Sequence, residues 1–387
     1  MRRVALAAAA CALVLAWALR PVGGLAHVTT TNTVVFEREI VRILEAHCVA
    51  CHAEGGATPS LVTYEQTWLA REAVLAAVLD RSMPPWPAVS GYGDFSNENR
   101  LTARERQFIV SWVEGLGPRN AGERFSNTGG APEEAVAVEA STERSRMDLG
   151  AADVVLALAS PALGAADRAR EAEVIVQTGL TSERSLRAIE FNPGVAVELR
   201  AASFFLEGSD QWLGSWTPWH GFMTLPEGVA YRLPPGARIR AELRYAGERG
   251  ASGELSLFFA DSSAGEPLQP AELELEASAE LLGSAVGLRL HAEERVDGDT
   301  RILAILPDLA PGARTLEVSV RRADGSTDIL LYANFVATDF SAEWPTPFVL
   351  REPVVVPAAS VLRATAYFDN PTEAPHEARL RVRVSGY

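Results

Sequence analysis

Two hydrophobic periods divide the chain. Between Phe36 and Gly115 apolar residues recur at helical spacing, and from Val154 onward they follow the two-residue alternation of strands. In FEREIVRILEA (36–46), Phe36, Ile40, Ile43 and Leu44 fall at i, i+4, i+7 and i+8, the apolar face of an amphipathic helix. Gly55-Gly56-Ala57-Thr58-Pro59 reads as a turn-rich loop. Tyr64 to Leu79 predicts a second helix with Trp68, Val74, Leu75 and Val78 as its apolar residues. The stretch Arg81-Ser82-Met83-Pro84-Pro85-Trp86-Pro87 breaks it, because proline lacks the N–H a helix needs. A third helix is expected from Thr102, where Glu105 completes a capping box, through Phe108, Ile109, Trp112 and Val113 to Gly115.

From Asn120 to Gly150 the residues turn to Gly, Ser, Asn and Glu, the composition of an exposed linker. Short strands follow at 154–158, 172–179, 186–193, 195–207, 237–247 and 253–261. A second set is read at 272–279, 286–295, 301–307, 314–337 and 361–371, with an Asp324-Gly325 hairpin signal. Strands without helices between them predict antiparallel sandwiches. The stretch from Asp153 to Tyr387 is longer than one sandwich needs, so two are expected, 151–264 and 265–387, meeting near 262–271. Leu233-Pro234-Pro235-Gly236-Ala237 and Val356-Pro357-Ala358-Ala359 stand at similar points of the two halves, each leading into a strand.

Composition adds the compartment. Arg2 and Arg3 precede an apolar run from Val4 to Leu19, and Gly24-Leu25-Ala26 supplies small residues for cleavage, so residues 1–26 read as a secretory signal peptide. A retained anchor is the competing reading, but the run of about 16 residues is short for a membrane span of roughly 20. The expected location is therefore periplasmic or secreted. All 35 basic residues are arginine and the net charge is −15, which argues against nucleic acid as a partner. With Cys11 in the leader, the exported chain keeps only Cys48 and Cys51 and has no disulfide framework.

Those two thiols sit in His47-Cys48-Val49-Ala50-Cys51-His52. A C-x-x-C-H run reads as covalent haem c attachment, with Cys48 and Cys51 as the thioether-forming residues and His52 as the proximal iron ligand. Two other readings use the same residues. A zinc half-site would crowd its ligands into six residues, and a thioredoxin-like pair would need a βαβ pattern that is absent. The order helix, C-x-x-C-H, loop, helix, methionine loop, helix is that of a small all-α class I cytochrome c domain, placed at 34–119. Met83, stiffened by Pro84 and Pro85, is its expected second axial ligand. His47 is expected at the surface or at the haem edge. Trp212, Trp216 and Trp219 are read as an aromatic cluster around His220, either packing at a sandwich end or docking a partner.

The whole chain resembles a bacterial group in which a cytochrome c domain is joined to copper type II, ascorbate-dependent monooxygenase domains related to the peptidylglycine and dopamine hydroxylases. HCVACH, GGATPSLVTYEQ and RSMPPWPA carry the first part of the resemblance. DVVL (153–156), RAIEFNPG (187–194), LGSWTPWHGFMTLPEG (213–228), YRLPPGARIRAELRY (231–245), RILAILPDL (301–309) and TAYFDNP (365–371) carry the second. The resemblance implies one copper ion per half. In the first half a histidine pair and a His-Tyr histidine hold it, and their positions here are Arg200-Ala201 and Arg244. In the second half a His-x-His motif after a proline and a late methionine hold it. Asp308 and Ala310 follow Pro307 here, and no methionine follows TAYFDNP. These are degenerate copper-ligand positions, since copper sites of this kind need imidazole and thioether donors and arginine stays protonated. His220, His291 and His376 are isolated from one another in sequence.

One haem c is therefore the expected cofactor and copper is not expected. The leading reading is a non-enzymatic electron carrier whose monooxygenase-like module docks a redox protein, an active copper-bearing relative being one such partner, with no small-molecule substrate expected. A haem-fed copper monooxygenase hydroxylating a C–H bond and a haem-based sensor are the other readings.

Overall fold

The computed structural model describes residues 34–120, 149–159, 171–194, 199–245, 252–261, 265–335 and 347–387. The expected signal peptide and nearly all of the expected linker lie outside the described residues.

The N-terminal part is helical. A π-helical turn, Phe36–Ile40, runs directly into α1 (Val41–His47), followed by α2 (Tyr64–Leu79) and α3 (Ala103–Glu114). The sequence predicts one continuous first helix; its opening turn is instead widened. There the N–H groups of Phe36 and Glu37 donate to the carbonyls of Pro118 and Arg119, both at 3.0 Å, and Val35 N–H donates to Glu39. Those bonds clasp the two ends of the unit, with Arg119 closing on Glu37 at 2.9 Å. Both later helices begin at capping boxes, Thr63 with Gln66 and Thr102 with Glu105, which satisfy N–H groups that no helical turn can reach. Gly115 ends α3 as expected. Phe36, Ile40, Leu44, Ile109 and Trp112 form the core of this unit.

The remainder is antiparallel β structure. The first half holds β1 (Val154–Ala159), β2 (Glu171–Gln177), β3 (Arg184–Pro193), β4 (Leu199–Leu206), β5 (Gln211–Trp216), β6 (Phe222–Thr224), β7 (Tyr231–Leu233), β8 (Arg238–Tyr245) and β9 (Ser252–Phe259). The second holds β10 (Ala271–Leu281), β11 (Leu288–Arg295), β12 (Thr300–Leu309), β13 (Ala313–Arg321), β14 (Thr327–Asn334), β15 (Phe348–Val356), β16 (Val361–Phe368) and β17 (His376–Gly386). The sheets run β1-β9-β3-β6, with β7 also on β3, and β2-β8-β4-β5 in the first half. In the second they run β10-β17-β12-β15 and β11-β16-β13-β14. In each half the first strand pairs with the last and the second with the strand that precedes the last. That is the wrap of a jelly roll, and each half is a β-sandwich of this kind. The two proline turns noted above lead into β8 and β16, which hold the same place in the two sandwiches.

Five strands, β5, β6, β7, β15 and β17, go beyond the sequence reading. β6 and β7 have three residues each, too few for a period to show. β15 carries Pro353, which suits its position at a sheet edge. β17 alternates buried Ala378, Leu380, Val382 and Val384 with Arg379, Arg381 and Arg383. Its outward arginines meet carboxylates: Arg381 pairs with Glu274 and Arg379 with Asp308.

The two jelly rolls share an apolar seam. A bulge in β12 between Ile302 and Ala304 turns Leu303 outward from its own sandwich. Leu303, Ala304 and Val349 pack into the core of the first jelly roll, while Ile302 and Ile305 stay in that of the second.

The helical unit is tied to the second jelly roll by the segment 84–97, a strap that follows the expected methionine loop. Ala88 bridges Ala333 at the end of edge strand β14, and Phe95 bridges Leu350 on edge strand β15. Val89 N–H donates to Tyr332 at 2.8 Å, and Ser96 N–H to Val349 at 2.8 Å. Exposed strand edges are a liability, and the strap covers one in each sheet. It also completes the core. Trp86, Ala88 and Phe95 are buried among the residues of the second jelly roll, and Trp86 meets Phe348 edge-on at 5.3 Å and Phe95 at 6.0 Å. Buried Asn97 donates to Pro347 at 2.7 Å and accepts from Val349 N–H at 3.0 Å.

Candidate functional site

The C-x-x-C-H run sits at the C-terminal end of α1, where Cys48 N–H still closes on Leu44 at 2.8 Å and His52 N–H returns to the Cys48 carbonyl at 2.9 Å. This single turn places Cys48, Cys51 and His52 on one short arc. Both thiols are free and half-buried. Burial pushes Cys48 up to about 12, the Cys51 thiol beside it adding to the effect. Burial likewise pushes Cys51 up to about 12, against the pull of the Arg200 guanidinium. Both are protonated at neutral pH, unlike reactive or redox-sensing thiolates.

His52 is oriented by the loop after it. Its Nδ1 lies 2.7 Å from the Pro59 carbonyl. A carbonyl only accepts, so Nδ1 carries a proton, and in the neutral ring Nε2 is then the nitrogen with the lone pair a metal needs. His47 turns elsewhere. It bonds to Asn99 at 3.0 Å and lies 3.4 Å from Glu105, joining the end of α1 to the start of α3. Burial works against the Glu105 carboxylate, but the Thr102 N–H and hydroxyl and the nearby His47 hold it below the usual range. His47 is therefore not gathered with the thiols, as a zinc half-site would require. Among the described residues no three His, Cys, Asp or Glu side chains gather as a metal cluster.

Met83 follows Arg81, which takes a left-handed φ of 64°. Its backbone N–H donates to Ala77 at 3.1 Å, fixing the loop to the last turn of α2. Met83 is 38% exposed and lines a cavity of about 690 Å³ together with Val78, Trp86, Arg100, Leu101 and Arg106. Two N–H groups of these lining residues, Trp86 Nε1 and Arg106 Nε, are buried without a hydrogen-bond partner. Sequence reasoning did not single out either residue, nor the Pro59 carbonyl. The Trp86-Pro87 pair after two prolines was the one visible signal.

The five degenerate copper-ligand positions divide. Ala201 and Arg244 are direct cross-strand partners on β4 and β8. With Asp308 from the second jelly roll they line a cavity of about 560 Å³ between the sandwiches. The charges there are neutralised within the protein. Arg244 pairs with Glu171, and Asp308 with Arg379 at 3.0 Å. Arg200 lies instead within electrostatic reach of Cys51, and Ala310 packs against the second core. The cavity offers guanidinium and carboxylate groups, not imidazole or thioether, and does not fit copper of the implied kind.

The remaining histidines stay apart. His291 bonds to Thr365 and Glu293, and His376 approaches the Pro311 carbonyl at 3.4 Å. His220 closes a tight turn with Thr217, and burial pulls it down to about 4 despite a backbone bond at Phe222. The expected tryptophan cluster is split. Trp212 and Trp216 belong to the core of the first jelly roll, whereas the Trp219 indole N–H donates to Asn97 of the strap at 3.1 Å.

No protein-family model matches the chain, and no curated protein matches it. Among solved structures it is similar to the major capsid protein P2 of bacteriophage PM2, at 12% identity and TM-score 0.28, covering 60% of this chain and 96% of that one. It is similar also to PNGase F, a glycosylasparaginase from Flavobacterium meningosepticum, at 10% identity and TM-score 0.29, with coverage of 60% and 96%. Likeness at this level says nothing about chemistry.

Proposed function

We propose that this chain is an exported c-type cytochrome that carries single electrons, and that its monooxygenase-like β module docks a redox partner and performs no chemistry of its own. The observation that carries the reading is the His52 ring. Pro59 fixes its tautomer and leaves Nε2 available on the turn that also carries two free thiols three residues apart. Cys48 and Cys51 would hold haem c by thioether bonds, and His52 and Met83 would bind its iron. A bound haem c would supply one-electron exchange at iron, and a thioether ligand in addition to imidazole favours a high potential. Val49, Leu61 and Leu44 keep water from this side of the site, all three being buried. The strap holds the residues next to Met83 in the core of a second domain, which limits how far that loop can move between oxidation states.

A second reading, a haem-fed copper monooxygenase, draws on the convergence of Ala201, Arg244 and Asp308 on one cavity. Since those residues do not fit copper, no step is derived through it. Expression of the full chain with a haem-maturation system tests the proposal. Covalent haem that cycles reversibly, with its Met–iron absorption band lost in Met83→Ala, is the expected result. A chain without covalent haem sinks the reading.

A further inference from the structure

Met83 is not held by the packing of its own side chain. It is 38% exposed and borders a cavity of about 690 Å³. What fixes it is the chain on either side. Toward α2, its N–H donates to Ala77 at 3.1 Å, and the Ser82 hydroxyl donates to the same carbonyl at 3.4 Å. Toward the strap, only Pro84 and Pro85 separate it from Trp86, and proline fixes φ at both. Trp86 is buried in the core of the second jelly roll, its ring 5.3 Å from Phe348 and 6.0 Å from Phe95, and those two rings lie 5.4 Å apart. Beyond Trp86 the strap is bonded to that domain at both ends. Asn334 N–H donates to Pro87 at 2.9 Å, and Val89 N–H to Tyr332 at 2.8 Å. Arg351 N–H donates to Asp94 at 2.9 Å, and the Asn97 side chain grips Pro347 and Val349. Met83 is thus bracketed by α2 on one side and by another domain's core on the other.

We propose that the second jelly roll clamps Met83 on the haem iron and so keeps outside ligands off it, with Phe348 and Asn97 as the positioning residues. This rests on the haem reading above. Neither residue touches the iron; both act by holding the strap. A ligand that must displace Met83 binds only those molecules whose loop is open, and its apparent affinity falls by that fraction. Changes that loosen the strap should raise that affinity in proportion, even when they lie in the β module. The clamp also separates the electron carrier from a haem-based sensor, which needs an iron position free to take a ligand.

The test uses the full haem-loaded chain, with imidazole as the probe of ferric iron. Phe348→Leu keeps an apolar side chain in the core and removes the ring that Trp86 and Phe95 meet. Asn97→Ala removes the grip on Pro347 and Val349. Imidazole affinity should rise about fivefold in Phe348→Leu and about tenfold in Asn97→Ala. Phe204→Leu is the control. Phe204 packs against Phe191 at 5.4 Å in the first jelly roll, whose core contains none of the strap, so the affinity should stay at the wild-type level. Amide hydrogen exchange at Trp86 and Val89 should quicken in the first two variants and not in the control, and this readout needs no haem. Should Phe348→Leu fail to fold, Asn97→Ala carries both measurements. Affinity and exchange unchanged in both variants, or raised equally in Phe204→Leu, would overturn the inference. Wild-type protein lacking covalent haem would instead defeat the haem reading, and the exchange comparison would still decide whether the second jelly roll holds the strap.

Discussion

Around Met83, a cavity is lined by Arg81, Arg100 and Arg106 against one carboxylate, Asp80. Between the jelly rolls, Arg244 is matched by Glu171, and Asp308 by Arg379. Both places gather charged side chains at a junction of domains and each contains an ion pair, Arg100 with Glu98 in the first and Arg244 with Glu171 in the second, but of the two linings the first alone carries a thioether, that of Met83. The helical unit carries thiols, an imidazole and a thioether, whereas the inter-sandwich cleft is lined by guanidinium and carboxylate groups.

The contrast can be broken most severely at the thiols. Replacing Cys48 and Cys51 with serine should abolish covalent haem completely, read by haem staining after denaturing electrophoresis, whereas Asp308→Asn should leave it at the wild-type level. Next comes the coupling between the two regions. Trp86→Ala should cost the second jelly roll about 3–5 kcal/mol, although Trp86 lies in the segment of the helical unit; a urea titration followed by fluorescence measures it. Asn97→Ala leaves the Pro347 carbonyl and the Val349 N–H without their partner and should cost about 2–4 kcal/mol in the same assay.

A smaller effect belongs to the first jelly roll alone. His220 titrates near 4 when folded, below its ordinary 6.5. The unfolded chain therefore takes up the proton first. The stability that His220 contributes is present above about pH 6.5 and is lost as pH falls toward about 4, a change on the order of 3 kcal/mol. Urea midpoints at neutral and mildly acidic pH should diverge less in His220→Asn than in the wild type, and equal divergence would refute the assignment. The smallest expected change is at the cleft itself. Asp308→Asn should cost no more than about 1 kcal/mol, because its ion pair with Arg379 is exposed.

Much of this was legible in the chain, and the exceptions share a cause. Helices α2 and α3 announce themselves through local chemistry, Thr63 and Thr102 as caps and Gly115 as a stop. The Asp324-Gly325 hairpin does likewise, with Asp324 accepting from Ser326 N–H at 2.9 Å. Spacing and order are also what make Cys48, Cys51, His52 and Met83 the expected haem residues. What stays hidden is nonlocal. Nothing within β10 says that it pairs with β17, more than a hundred residues later in the chain, and β17 escaped notice although its arginine-valine alternation is plain to see. The strap reads as an irregular methionine loop because Trp86, Ala88 and Phe95 follow no period; they pack against a neighbouring domain and not along their own element. Arg200 and Arg244 look equivalent in sequence as replaced ligands. The fold separates them, one toward Cys51 and the other into the cleft.

The most direct test of the central claim is the metal content of the full chain, expressed with haem-maturation machinery in an exporting host and supplied with copper. The account predicts covalently bound, redox-active iron at the level of the protein, with no copper above background. Copper in stoichiometric amount with oxygen-dependent hydroxylation, or protein without covalent haem, would contradict it.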